Sequence, residues 1–352
     1  MSYKVIQWAT GGIGKAAIEG VADHPDLELV GCWVHSDDKV GQDAGIIAGI
    51  RELGVTATNS MQDILAMDAD CVMYAPAMAA PEDVKALLES GKHVVTPTGD
   101  WFYAPRNKSN EALWQACEIG NTVLHGTGIH PGGFTERFPL ILSSMQRCTN
   151  YVRSEEFSDI RTYNAPQVVR DIMLFGKTAE EVKQSFMPGY MATGFYQSIQ
   201  MVADELRIPL DDFKTTHELG LATAPIDSPI GVIEPGQVAA QRITWAGMRH
   251  GKPVIEAVVN WLMGEEHFDQ DWNFGPQGPH YAVTCKGDPD LHTVYHGTHP
   301  HTIEEGLKRN AGIVVTAMHC VNSIPYVCQL KPGIRNYLDL PMVCGRAAPD
   351  LL

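Results

Sequence analysis

The stretch from Lys4 to Gly14, KVIQWATGGIG, constrains the fold more than any other part of the chain. Val5, Ile6, Trp8 and Ala9 form a short apolar run of strand character that breaks into Gly11, Gly12 and Gly14. The residues that follow, KAAIEGVADHP, place Ala16, Ala17, Ile18 and Val21 at helical spacing, and Pro25 closes them off. Strand, glycine turn and helix in that order are the context of a dinucleotide-binding fingerprint. The glycines let backbone approach a pyrophosphate, and the helix N-terminus offers unpaired N–H groups at the positive end of its dipole. Thr10, Gly11, Gly12, Ile13 and Gly14 are therefore candidate cofactor contacts. The pattern G-x-G-x-x-G is imperfect, because Ala9 stands at the first glycine position. A glycine-rich turn without a ligand is the competing reading.

The chain is long enough for two domains, with 352 residues. Its net charge of -16 argues against nucleic acid or an anionic membrane as a partner, since both require a basic face. A local basic pocket for a phosphate stays open. MSYKV leads directly into the first strand, so no signal peptide is expected, and no apolar run reaches the length of a membrane span. Cys32, Cys71, Cys117, Cys148, Cys285, Cys320, Cys328 and Cys344 form no C-x-x-C pair. They read as reduced, mostly buried thiols of a cytoplasmic protein.

LELVGCWVH predicts a second strand over residues 27–35. An acid at the end of such a strand accepts hydrogen bonds from the ribose 2′-hydroxyl of NAD. Here His35 and Ser36 come first, then Asp37, Asp38 and Lys39. His35, Ser36 and Lys39 can donate to a 2′-phosphate, which favours NADP; the two aspartates leave NAD open, and a solvated turn is the alternative. GQDAGIIAGIRELGVTAT reads as a loop, followed by a short strand near 55–57 and a helix MQDILAM capped by Asn59 or Ser60. DADCVMYAPA is a buried strand ending in Ala75, Pro76 and Ala77, small enough to admit a nicotinamide ribose. PEDVKALLESGK is a helix, HVVTPT a strand, residues 107–119 a helix, and NTVLHGTGIHPG a strand and turn. Alternating strands and helices predict a parallel, doubly wound sheet whose ligands lie at the carboxyl ends of its strands.

Together QWATGGIG, VHSDDKVGQDAG, KHVVTPT, GTGIHPGGF and PGIRNYLDLP resemble the dihydrodipicolinate-reductase-like oxidoreductases, nearest the 2,4-diaminopentanoate dehydrogenase and native amine dehydrogenase group. The resemblance is strong in the first third of the chain, moderate near its end and weak between. It implies an N-terminal Rossmann domain, a second α/β domain, dimerisation through that second domain, and NAD(P)H-linked reduction of a C=N bond formed from a carbonyl and an amine. Relatives carry S-T-x-E-E after the fifth strand, with a glutamate serving the amine. This chain has Gly99 and Asp100 there. The family's G-T-G-x-N-P-G appears as Gly126, Thr127, Gly128, Ile129, His130, Pro131 and Gly132, so that His130 replaces the asparagine at the nicotinamide end. The HH motif and KxDxPSGTA stretch of true dihydrodipicolinate reductase are missing from the sequence.

The expected architecture is α/β: a Rossmann doubly wound parallel sheet over residues 1–135 plus 305–352, and a second α+β domain over 136–304 with a mostly antiparallel sheet. In that second domain TERFPLILSSMQ, APQVVRDIMLFG and GFYQSIQMVADELRI read as helices, and TAEEVKQSF carries a capping box of Thr178 and Glu181. NYVRSEEFSD and HYAVTCKGD read as strands, as do two long runs around the turn Arg249–Lys252. His292, His296, His299 and His301 crowd one segment, yet Gly297 and Pro300 break it and no acid or thiolate stands at matching spacing. No metal is expected; some of these imidazoles line the substrate cleft. A long helix over 302–322 is expected to return to the Rossmann sheet, placing Asn322 and a loop 323–325 near the cofactor.

The function expected is an NADP-preferring oxidoreductase. Thr98 and residues 75–77 and 126–130 surround its nicotinamide, and Asp100 or His130 donates the proton or holds an ammonium. A turn cap at Asp100, and a loop imidazole at His130, are the plainer alternatives. The substrate is a small carbonyl or amine, and the protein a homodimer. The competing functions are an aldehyde or ketone reductase without amine chemistry, and a non-catalytic NADP-binding regulator.

Overall fold

The computed structural model describes residues 2–348 and 351. It divides into two compact units, residues 1–129 with 313–352 and residues 130–312.

In the first unit the alternation read from the sequence is realised as β1 (Tyr3–Trp8), α1 (Gly12–Asp23), β2 (Leu27–Trp33), α2 (Ala44–Ala48), β3 (Ala57–Thr58), α3 (Met61–Ala66), β4 (Cys71–Tyr74), α4 (Pro81–Glu89), β5 (His93–Thr96), α5 (Glu111–Gly120) and β6 (Val123–Gly126). Strand Gly333–Arg335 pairs with β6, giving a seven-stranded sheet in which β6, β5, β4, β1, β2 and β3 follow in that order. Each of these pairings is parallel. Side chains of a strand alternate between faces, so both faces of a doubly covered sheet must be apolar. Ile6, Trp8, Val72, Tyr74 and Val94 pack on one side with Val84, Leu87 and Leu113. Val5, Cys71, Met73 and Val95 pack on the other with Ala17, Val21, Ala317, Val321 and Ile324. The doubly wound α/β unit is thus as the sequence implies.

Three local expectations are corrected here. The glycine-rich stretch at 41–58 is no loop: Asp43 caps α2 and its carboxylate also accepts from the N–H groups of Leu53 and Val55. The helix expected over 302–322 is two, Ile303–Lys308 and Ala311–Val327, because Arg309 is extended and the Asn310 amide donates to the Thr162 carbonyl at 3.0 Å. Residues 323–325 continue the second of these helices and form no loop.

The second unit is built on a six-stranded sheet of β7 (Cys148–Asp159), β8 (Asp212–Leu221), β11 (Val238–Arg249), β12 (Lys252–Leu262), β13 (His280–Asp288) and β14 (Leu291–Tyr295), with β9 (Ile226–Ser228) and β10 (Gly231–Ile233) as a separate hairpin. The order is β14-β13-β7-β12-β11-β8. Only β7 and β12 run parallel among these pairs, so the sheet is mostly antiparallel as expected. The helix Met187–Glu205 lies on one face, where Phe195 stacks on Trp245 at 3.8 Å between ring centroids. Gly247 permits this approach, since a Cβ there would come 2.8 Å from Ile199. The capping box of Thr178 and Glu181 opens its helix as read. Two expected helices are shorter and wider at their start: Gly133–Arg137 and Val168–Ile172 are single turns of π-helical form, the first continuing into Phe138–Ser143.

Candidate active site

The glycine turn is shaped by close approach. Gly14 faces the end of β1 so tightly that a Cβ would lie 2.0 Å from the Ala9 carbonyl oxygen. That carbonyl is held in place by the Gln7 amide, which donates to it at 2.9 Å and to the Trp8 carbonyl at 3.0 Å. Ala9 takes the conformation a glycine would provide, with φ 69°, in the left-handed region that side chains disfavour. Gly11 has open space around its Cβ position, at the N-terminus of α1. This is a cradle that fits a dinucleotide pyrophosphate: backbone N–H groups beside a void, at the positive end of a helix dipole.

The loops that leave the carboxyl ends of the parallel strands bring most candidates to one edge of the sheet. Thr10–Gly14 follow β1, His35–Lys39 follow β2, Ala75–Ala77 follow β4, Thr98 and Asp100 follow β5, and Thr127 and Gly128 follow Gly126, the end of β6. Lys39 reaches from its own loop to the glycine turn, where its ammonium donates to Thr10 Oγ1 at 3.2 Å. His35 is exposed, beside the Trp33 ring. Asp37 is occupied by the Asn59 amide at 2.8 Å. Thr98 is pinned by Thr96 Oγ1, which bonds its N–H and hydroxyl at 3.0 Å each.

Trp101 organises the next loop. Gly99 has φ 94°, and a Cβ there would meet the Trp101 ring at 2.7 Å. A Cβ on Gly126 would meet the Trp101 backbone, also at 2.7 Å. No glutamate fits at position 99, so the carboxylate of this loop is Asp100. Burial raises its pKa, and its own backbone N–H partly offsets the shift.

Asn322 does not join this group by any contact seen here. It lies on the helix Ala311–Val327 with its amide toward Gly345. His319, one turn earlier and unremarked in the sequence, does reach the strand ends: its Nδ1 lies 2.9 Å from Thr127 Oγ1, and Cys320 Sγ donates to the Thr127 carbonyl.

His130 begins the second unit. Its Nε2 lies 3.3 Å from the Val258 carbonyl, and its ring packs edge-on to Phe195 and Tyr281. Donation from Nε2 leaves Nδ1 with its lone pair, enclosed and without a partner among the described residues. Burial lowers the pKa of His130 to about 4, so the ring is neutral at physiological pH and serves as an acceptor. Beyond Tyr281 lies a second polar group that the sequence reading passed over. Glu156, Ser158, Trp261 and Tyr281 share a buried face of the sheet, and His299 stacks on Tyr281 at 5.2 Å. The available signal was a run of polar residues at alternate positions on the packed face of β7, Ser154, Glu156 and Ser158.

Two family profiles match the chain: the N-terminus of dihydrodipicolinate reductase over residues 5–117, and the C-terminal domain of 2,4-diaminopentanoate dehydrogenase over residues 136–348. The chain belongs to the 2,4-diaminopentanoate dehydrogenase family. Among relatives of this family, it is 30% identical to an amine dehydrogenase of Streptomyces virginiae, with 96% of each chain covered. It is 24% identical to the 2,4-diaminopentanoate dehydrogenase of Acetoanaerobium sticklandii, covering 96% of this chain and 93% of that one. In fold it matches the solved structure of an amine dehydrogenase from Mycobacterium smegmatis, with a TM-score of 0.80, 21% identity and 98% of each chain covered. As a member of the 2,4-diaminopentanoate dehydrogenase family the protein is an NAD(P)-dependent oxidoreductase of amine dehydrogenase type, and the glycine turn is the part of its Rossmann unit that fits the nicotinamide cofactor.

Proposed function

We propose that the protein is an NADP-preferring amine dehydrogenase, catalysing reductive amination of a small carbonyl compound and its reverse. The observation that carries this reading is a half-buried carboxylate, Asp100, in a strand-end loop at the sheet edge that also bears the glycine turn. When bound, the nicotinamide supplies or takes up hydride at its C4. Thr10, Gly11, Gly12, Ile13 and Gly14 hold the pyrophosphate. Ala75, Pro76, Ala77, Thr98, Gly126, Thr127 and Gly128 bound the nicotinamide end with small side chains, and Asn322 on the helix Ala311–Val327 is a more distant candidate. Asp100 holds a proton more firmly than a solvated aspartate, which suits it to protonate the hydroxyl that leaves a carbinolamine as water. His130 receives a donor group of the substrate at Nδ1.

The NADP preference rests on Lys39, with His35 and Ser36 as further donors to the 2′-phosphate. Lys39→Ala is expected to weaken NADPH binding about tenfold while leaving NADH binding unchanged, as fits loss of one charge-assisted hydrogen bond. Fluorescence titration with both cofactors checks this, and equal losses for the two would end the assignment. A homodimer formed through the second unit belongs to the same proposal. A cytoplasmic location is supported by the eight free cysteines. Among the described residues no helix is long and apolar enough to cross a membrane.

The deciding experiment follows NADPH consumption with a panel of ketones and aldehydes, with and without ammonia. Turnover that requires ammonia is expected. Turnover indifferent to ammonia would make the protein a carbonyl reductase.

A further inference from the structure

Gln7 is a polar side chain in an apolar part of the Rossmann sheet. It is fully buried on β1, in register with Cys32 of β2 and Met73 of β4, which are fully buried too. Its Nε2 lies 3.0 Å from the Trp8 carbonyl oxygen and 2.9 Å from that of Ala9. Only the N–H end of an amide can donate to two acceptors, so the orientation of the side chain is fixed. The two carbonyls differ in their need of it. That of Trp8 also accepts from the Ala75 N–H at 3.1 Å. That of Ala9 has no other donor among the described residues. The Gln7 amide oxygen, for its part, meets no donor among the described residues, and a buried acceptor left without one costs stability. Gln7 thus serves the turn at some expense to the fold.

We propose that Gln7 is a positioning residue for the cofactor, standing in for the glycine that the fingerprint lacks at position 9. Glycine takes a positive φ without steric penalty. Ala9 takes φ 69° against the crowding of Cβ and carbonyl that makes this region costly for a residue with a side chain. The bond from Gln7 fixes the Ala9 carbonyl in the orientation this conformation requires, with its oxygen packed against Gly14. Thr10 and Gly11 continue from the same peptide to the start of α1. Without the brace Ala9 relaxes out of the left-handed region, Thr10 and Gly11 turn away from the helix N-terminus, and fewer molecules hold the cradle at any moment. Apparent affinity falls by that fraction. The inference needs only the pyrophosphate, which NADPH and NADH share, and so goes beyond the question of which of them is preferred.

The test is a double-substitution cycle in the full-length protein, read by fluorescence titration with each cofactor and by thermal melts that establish folding. Gln7→Met keeps the length of the side chain and removes the donor. It is expected to weaken NADPH and NADH binding alike, about tenfold, the ratio that corresponds to the cost of a left-handed alanine. Equal losses separate Gln7 from Lys39, which bears on NADPH alone. In an Ala9→Gly background the same Gln7→Met substitution should weaken binding by less than about twofold, because glycine holds the turn unaided. A tenfold loss in both backgrounds overturns the proposal, as does unchanged affinity in Gln7→Met or a loss confined to one cofactor. A Gln7→Met protein that fails to fold supports it if Ala9→Gly restores folding; if not, Gln7 is a residue of the core alone and the proposal falls. A wild-type preference for NADH would overturn the NADP reading and leave the outcome of this cycle unaltered.

Discussion

Gly14→Ala is expected to abolish NADPH binding and to lower the melting temperature at the same time. The added methyl would stand 2.0 Å from the Ala9 carbonyl oxygen and 2.9 Å from its carbon. These are backbone atoms, and the Gln7 amide holds the carbonyl from behind, so nothing flexible can move aside. Relief requires α1 to back away from β1, taking with it the N–H groups at the helix start. Overpacking of this sort costs about 3 kcal/mol or more, equivalent to at least a hundredfold in an equilibrium constant. Gly11→Ala provides the contrast. A Cβ there meets nothing within 4 Å, and φ is -71°. It is expected to leave the melting temperature unchanged and still weaken NADPH, because the methyl enters the void above the turn. Fluorescence titration beside thermal melts separates the two effects. Wild-type affinity in Gly11→Ala would remove the pyrophosphate from this turn.

Asp100→Asn is expected to lower kcat for ammonia-dependent reduction about 10²- to 10⁴-fold, the usual range for loss of a positioned acid or base. The amide preserves the size of the side chain but cannot exchange a proton. Its neighbour offers no substitute, since the Trp101 ring fills the space a side chain on Gly99 would need. NADPH affinity should stay within about twofold of wild type, because the residue bears on the proton and not on the cofactor's charge. Steady-state kinetics with a ketone and ammonia, and a parallel cofactor titration, give both numbers. Activity retained in full would show that the acid lies elsewhere.

What could be read before the structure was known follows the strength of local signals. The turn at Gly11–Gly14, the strand ending in Ala75–Ala77 and the Pro81 helix start announce themselves by period and punctuation. The helix Ala44–Ala48 did not, because its stability comes from Asp43 reaching groups ten and twelve residues away. Strand Asp212–Leu221 went unread for a different reason. It is a largely exposed edge strand whose residues Lys214 to Glu218 are all polar, and its place is set by pairing with β11. The break at Arg309–Asn310 depends on Thr162, about 150 positions earlier. Among candidate site residues, Asp100 and Lys39 could be named from their positions after strands. Glu156 could not, because in SEEFSD a buried acid looks the same as an exposed one until the neighbouring strands supply Trp261 and Tyr281.

The chain's return to its first unit has a consequence for how the protein is made. Residues 1–129 lack the helix that covers one face of their sheet, with Ala317, Val321 and Ile324, and they lack the pairing strand Gly333–Arg335 beside β6. The second unit, by contrast, is contiguous. During synthesis the nascent sheet with the glycine turn must wait, one apolar face bare, while the whole of residues 130–312 emerges and can fold. The usual order of N-terminal domain first is therefore inverted. Until the last forty residues emerge, Val5, Met73 and Val95 lack the partners Ala317, Val321 and Ile324 that cover them in the finished fold.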